Sequence, residues 1–309
     1  MRRWLVAAST IVGIAAFAYS VSTLGLAHIR EGLVRLGWGF GAVLVLSGLR
    51  EVARAVAWTR TLDAEDRLSI VDALRARLAG EALNTLLPMG FLVGEPAKAQ
   101  YVADRMPFAT AFRALMIELA FYTASLTLVF GSAALLLLPP AAALGVVLFG
   151  AVTVVSLKRV LRAAEPLQRF AVAQPRRAGT IFTLEASYHA LGVIETYVVL
   201  LCVAPAGAAW TSALLLEAMN RGVTMVFKML PMRVGVDEAA AALVTNRLSL
   251  GSTTGIMLAL VRKLRMLFWA AVGLLFMRVR SSTQHARTQA VPAGPPVQNA
   301  PRIADVHLV

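Results

Sequence analysis

Residues 87–95 read L-P-M-G-F-L-V-G-E, and residues 230–238 read L-P-M-R-V-G-V-D-E. Both fit L-P-M-x-x-x-V-x-E, five identities in nine positions without a gap. Each copy lies in an apolar stretch, residues 78–95 and 208–238, that combines a central proline with ionisable groups. A proline in mid-run removes a backbone donor and breaks a helix. Each copy precedes a long apolar span with charge in its first half: Glu118 in one, Arg262 and Arg265 in the other. The pair reads as an internal repeat. Chance matches between apolar stretches of biased composition are the competing explanation.

The rest of the chain says what medium surrounds these segments. The 309 residues are 58% hydrophobic and only 15% charged, with a mean hydropathy of +0.71. Soluble domains are about 25% charged, so a soluble globule, a disordered chain, a coiled coil and a nucleic-acid-binding domain are all excluded. The net charge is nevertheless +13, from 30 Lys and Arg against 17 Asp and Glu. An apolar, basic chain is expected to cross a membrane several times, with its cations at the span ends. The single Cys202 forms no internal disulfide, and the four histidines are scattered. No metal centre, cofactor or catalytic constellation is expected.

Stretches long enough to span, about 20 apolar residues each, are 4–26, 38–58, 115–138, 141–157, 181–203 and 255–277. Arg2, Arg3 and Ala16-Phe17-Ala18 resemble a signal peptide with a cleavage site. The apolar run continues to residue 26, beyond a signal core of about 7–15 residues, so a retained helix is expected. Pro139 and Pro140 predict a tight turn. Two G-x-x-x-G patterns, at 37–41 and 251–255, match close helix packing.

Orientation follows from the basic residues. Lys158, Arg159, Arg162, Arg169, Arg176 and Arg177 fall between the fourth and fifth spans. Arg60, Arg67, Arg75, Arg77, Lys98 and Arg105 follow the second. By the positive-inside rule both regions and both termini are cytoplasmic. A full crossing by 208–230 would put the C-terminal arginines outside, whereas a segment that dips in and returns keeps the count even. The expected fold is therefore an all-α, polytopic helical bundle of about six full spans plus two re-entrant broken segments. Those segments form an inverted repeat, with halves at about 38–157 and 181–278. Residues 281–309, rich in Pro, Ala, Gln and Thr, are expected to be a disordered cytoplasmic tail.

Charge inside a bilayer costs about 2.5–3.5 kcal/mol per residue on insertion scales, so such residues need a partner, a wet cavity or a function. They gather around the two copies: Glu81, Glu95 and Glu118, then Glu217, Arg221, Lys228, Arg233, Asp237, Glu238, Arg262, Lys263 and Arg265. Arg262 and Arg265 share a helix face. Arg221 and Lys228, seven apart, do so if the helix between them is unbroken. Such pairs suit a phosphate or another anionic headgroup. Arg50 and Arg54 stand open between a functional role and structural pairing with Glu51 or a neighbour. Glu185 and His189, an i,i+4 pair, read as a satisfied interhelical hydrogen bond.

Two runs resemble the membrane region of the lysylphosphatidylglycerol synthase family, the flippase-like group. One is A-G-E-A-L-N-T-L-L-P-M-G-F-L-V-G-E-P-A-K-A at 79–99; the other is L-P-M-R-V-G-V-D-E-A at 230–239, followed by A-L-V-R-K-L-R at 259–265. The family commonly shows N-x-x-x-P, then G-E and a basic residue. Asn84, Pro88, Gly94, Glu95 and Lys98 occupy those places. Its P-x-x-x-G-x-x-E is matched by Pro231, Gly235 and Glu238. The resemblance covers about residues 1–280. It implies a bundle with two re-entrant segments that moves lipid between leaflets in the bacterial cytoplasmic (inner) membrane. Two-domain members add a soluble domain that transfers an amino acid from tRNA to phosphatidylglycerol, and no such domain is expected here. Met89-Gly90-Phe91 replaces a stretch more polar in many members. The V-F-K-x-x-P-x-R-x-G-V-D-E run at 226–238 is similar to stand-alone members associated with hopanoid biosynthesis.

The expected function is movement of a phospholipid, or another polar-headed or isoprenoid lipid, between leaflets. The expected translocation residues are Glu81, Asn84, Pro88, Glu95, Glu118, Arg221, Lys228, Pro231, Asp237, Glu238, Arg262 and Arg265. The expected partners are the lipid itself and lipid-biosynthesis enzymes. An intramembrane enzyme or accessory subunit of lipid synthesis, with Asp237 and Glu238 as acid and base, is the alternative; a membrane scaffold is a third reading.

Overall fold

The computed structural model describes residue 34 and residues 36–63, 65–87, 89–137, 170, 172–233 and 235–290. Within these the chain forms eight α-helices and no strand. They are α1 (Trp38–Thr61), α2 (Ile70–Leu86), α3 (Phe91–Tyr101), α4 (Phe108–Leu137), α5 (Pro175–Val203), α6 (Trp210–Val226), α7 (Val236–Arg247) and α8 (Ser252–Ala290). The expected spans at 4–26 and 141–157, the Pro139 turn and Pro88 lie outside the described residues.

The order of lengths runs twice. Helices of 24, 17, 11 and 30 residues are followed by helices of 29, 17, 12 and 39. In each set the two short helices flank one copy of the L-P-M motif. Met89 and Met232, equivalent in the motif, both hold a left-handed backbone, with φ of 53° and 52°. That conformation costs a non-glycine residue about 1–2 kcal/mol. The two breaks touch: Met89 N donates to Met229 O at 3.1 Å. The second break is longer, because Phe227, Lys228 and Met229 form a turn between α6 and the motif.

Local sequence explains the helix ends. Ser69 Oγ accepts from Asp72 N at 3.0 Å and starts α2. Gly235, at φ 81°, starts α7, and its N–H donates to Glu238 Oε2 at 2.8 Å. The α2–α3 pair folds tightly on itself. A Cβ on Gly80 would meet Gly94 O at 2.6 Å, and one on Gly94 would overlap Asn84 Oδ1.

Polar residues sit in the middle of the bundle, between apolar ends. One apolar cluster joins Ala55, Trp58, Ala73, Ala76, Ala99 and Leu115 from α1 to α4. A second joins Val43, Val199, Leu200, Ala213, Leu216, Leu258 and Val261. Between them α1 buries Ser47, Arg50 and Arg54, and α5 buries Glu185, His189 and Glu195. The exterior exposes Val45, Leu49, Leu128, Leu135, Phe268 and Leu275. Buried charge inside an apolar exterior reverses the arrangement of a soluble protein.

Among the described residues two helices, Phe108–Leu136 and Pro175–Val203, are long and apolar enough to cross a membrane. The other described spans, at 38–58 and 255–277, fall in α1 and α8. Arg50, Glu51 and Arg54 lower the hydropathy of one, and Arg262, Lys263 and Arg265 that of the other. Helix α6 has 17 residues, about 25 Å of rise, short of the bilayer core. Helix α8 runs on to Ala290 and takes in the first ten residues of the expected tail. Arg77 and Lys98, expected among loop charges, are fully buried.

Candidate functional site

A cavity of about 270 Å³ lies where the two breaks meet α1, α4, α5 and α8. Six basic side chains line it: Arg50, Arg54, Arg221, Lys228, Arg233 and Arg265. Glu51, Glu81 and Glu95 bring acidic character, and Asn84, Asn220, Thr85 and Thr224 add neutral polar groups. Phe91, Tyr122, Tyr188 and Trp269 supply aromatic surface. Both copies of the motif region contribute to the wall.

The cations are held in place by aromatic rings and carboxylates. The Arg50 guanidinium lies 4.4 Å from the Tyr188 ring centroid, and that of Arg54 lies 4.3 Å from Tyr122. Arg221 Nη1 donates to Tyr122 OH at 3.1 Å. Such contacts hold the guanidinium planes in place beside the cavity. Arg50 Nη1 bonds Glu195 at 2.7 Å, and Arg265 bonds the same carboxylate. Arg54 grips Glu118 with two bonds, at 2.7 and 3.0 Å. The structure thus pairs Arg50 and Arg54 with other helices and also places both on the cavity wall. Lys228 rests over the Phe91 ring at 4.9 Å, its ammonium unmatched by any carboxylate among the described residues.

Six of the residues expected from sequence meet at this cavity: Glu81, Asn84, Glu95, Arg221, Lys228 and Arg265. Lys98 Nζ ties Glu81 and Glu95 together at 2.7 Å each, and Asn84 Nδ2 approaches Glu95 at 3.4 Å. Helix α6 ends at Val226, so Arg221 and Lys228 do not share an unbroken helix face. Both reach the cavity because the chain turns back after Phe227.

Four expected residues do not line it. Glu118 is enclosed by Arg54 and by Arg77, whose Nη1 lies at 3.1 Å. Arg262 contacts Glu217 at 3.4 Å and Thr196 at 3.2 Å. Asp237 accepts from Arg233 at 3.0 Å. Glu238 takes Lys263 and the Gly235 N–H. Glu118, Arg262 and Glu238 brace helices against one another, and Asp237 ties the turn at the second break to the start of α7. Pro231 opens the 3₁₀ turn Pro231–Arg233 at the second break. Glu185 and His189 do not bond each other: His189 Nε2 faces Tyr122 O at 3.3 Å, and Glu185 faces Arg54 at 3.5 Å.

Arg50, Arg54, Arg233, Tyr122, Tyr188 and Trp269 line the cavity but were not among the expected site residues. The legible signal was Arg50 and Arg54 at i,i+4 in an apolar run, which puts both on one helix face. The tyrosines carried no such signal.

No curated protein and no solved structure matches the chain significantly. The family model for the lysylphosphatidylglycerol synthase TM region matches residues 5–273. An apolar helical bundle around a charged interior agrees with that match: the chain is an integral membrane protein belonging to the lysylphosphatidylglycerol synthase TM region family.

Proposed function

We propose that the protein moves a polar-headed membrane lipid between leaflets, holding the headgroup in the cavity while the acyl chains stay in the bilayer. The observation that carries this reading is the cavity itself. Its wall mixes six cations, three carboxylates and four aromatic rings. Its volume suits a headgroup and not a whole lipid. The exposed apolar side chains outside it suit acyl chains. In this reading α2–α3 and α6–α7 are re-entrant hairpins of an inverted repeat, entering from opposite faces of a bacterial inner membrane. The doubled order of helix lengths, the matching backbone of Met89 and Met232, and the contact between the breaks all support it. Broken backbone at such depth is tolerated where it lines a wet cavity. The excess of arginine and lysine in loops supports cytoplasmic termini.

The test is reconstitution in vesicles carrying headgroup-labelled phospholipid, with label in the outer leaflet destroyed by a membrane-impermeant reagent. The protein is expected to speed exchange of label between leaflets, and Arg221→Ala with Lys228→Ala to slow it. Exchange no faster than in empty vesicles, across phospholipid and isoprenoid-lipid probes, overturns the proposal. Lipid analysis of a deletion strain separates transport from synthesis: correct lipids in the wrong leaflet point to transport, a missing product to an enzyme.

A further inference from the structure

Glu185 is fully buried on α5, and neither of its carboxyl oxygens accepts a hydrogen bond from a donor among the described residues. Its nearest cation, Arg54, approaches with Nε at 3.5 Å. That guanidinium already gives Nε and Nη2 to Glu118, at 2.7 and 3.0 Å. Arg77 gives Glu118 a third bond, at 3.1 Å. Two buried carboxyl groups thus face the same arginine, and these three hydrogen bonds all go to Glu118.

An ionised carboxylate with no donor is poorly tolerated away from water. A carboxylic acid brings its own donor. Glu118 Oε1 and Glu185 Oε2 both face Arg54 Nε, at 2.7 and 3.5 Å, so the neighbouring carboxylate is the acceptor for the acid proton. We propose that Glu118 and Glu185 form a proton-binding site, one proton residing on Glu185 and bonding to Glu118, whose occupancy positions Arg54 on the cavity wall. Release of the proton leaves two carboxylates competing for Arg54 and draws its fork toward Glu185. Binding of the proton returns Arg54 wholly to Glu118.

The surroundings are specific. From α1 the facing charges are Arg54 and, one turn away, Arg50; from α2, Arg77. Helix α4 supplies Glu118 and Tyr122, over whose ring Arg54 lies. On α5 itself His189 contacts the Tyr122 carbonyl, and Tyr188 sits beneath Arg50 and Arg221. Arg221 of α6 is paired with Glu217, and Arg265 of α8 with Glu195. Each of these has a partner, which leaves Glu185 without a counterion of its own.

The proton site stands on this geometry alone; its link to headgroup binding rests on the transport reading. The test is infrared spectroscopy of the full chain in lipid nanodiscs, followed against pH. A protonated-carboxyl band is expected at neutral pH, absent in Glu185→Gln and displaced in Glu185→Asp, which keeps an acid at that position. No such band in the wild type, or the same band in both variants, overturns the proposal. Lipid exchange is expected to vary with pH in the wild type and to be at least threefold less pH-sensitive in Glu185→Gln. Equal pH dependence in both breaks the link to Arg54. A band without any lipid exchange keeps the proton site and refutes transport.

Discussion

Arg77 and Glu217 hold the same place with opposite charge. Each is the eighth residue of a 17-residue helix, counted from Ile70 in α2 and from Trp210 in α6. Their partners match as well: Glu118 and Arg262 are each the eleventh residue of the long helix that closes their set. Arg77 meets Glu118 at 3.1 Å, and Glu217 meets Arg262 at 3.4 Å. The same brace is built twice with its charges exchanged. Glu217 also carries Arg221 at 2.6 Å, whereas Glu118 keeps Arg54 if Arg77 is lost. Glu217→Gln is therefore expected to cost about 3–5 kcal/mol, the range for breaking a buried pair, and Arg77→Met clearly less. Thermal unfolding of the two variants in the same detergent checks the order.

A backbone hydrogen bond from Met89 N to Met229 O, at 3.1 Å, joins the two breaks. If headgroups pass between the breaks, joining them covalently stops passage. Cysteines at both positions, in a Cys202→Ser background, are expected to cross-link under mild oxidant. Lipid exchange is then expected to fall to the level of empty vesicles and to return on reduction. Full exchange by a cross-linked sample removes the breaks from the path.

Lys228 differs from the other cations of the cavity. It is exposed and, among the described residues, is held only by the Phe91 ring, so its removal leaves no buried carboxylate behind. Lys228→Ala is expected to leave unfolding within about 0.5 kcal/mol of wild type. It is expected to weaken binding of an anionic headgroup about ten- to a hundredfold, since a hydrogen bond to a charged group contributes about 1.5–3 kcal/mol. Native mass spectrometry of lipid retention measures the second effect and calorimetry the first.

What the sequence made legible was local. The L-P-M copies marked both helix breaks, and the charges around them marked the polar interior, because proline geometry and desolvation act at the residue itself. Which charge meets which was not legible. Arg50 and Glu195 are 145 residues apart, and Arg54 and Glu118 are 64 apart. Such pairings are set by the packing of α1 on α4 and α5, not by spacing along one helix. Arg77 and Lys98 misled for the same reason: an arginine beside a loop and one folded against Glu118 look alike in the chain. Asp237 and Glu238 close the second motif yet serve Arg233 and Lys263.

Glycine spacing makes the same point in a form that can be measured. Of the two G-x-x-x-G patterns, the one at 251–255 packs closely, since a Cβ on Gly255 would overlap Ala241 O, whereas in the one at 37–41 a Cβ on Gly41 would meet nothing within 4 Å. Gly273 belongs to neither pattern. A Cβ there would overlap Leu78 O and come within 3.0 Å of Ala82 Cβ, because α8 lies directly against α2. A backbone carbonyl cannot swing aside as a side-chain tip can, so the two helices would have to part. Overpacking of this kind costs about 1–3 kcal/mol. Gly273→Ala is expected to lower the unfolding temperature, and Gly273→Val to lower it further. Gly41→Ala is expected to be neutral or slightly stabilising, since alanine is the better helix former by about 1 kcal/mol. Equal unfolding temperatures for Gly273→Ala and Gly41→Ala would mean that α2 and α8 do not meet at Gly273. The wall that carries Glu81 and Arg265 on these two helices would then have to be redrawn.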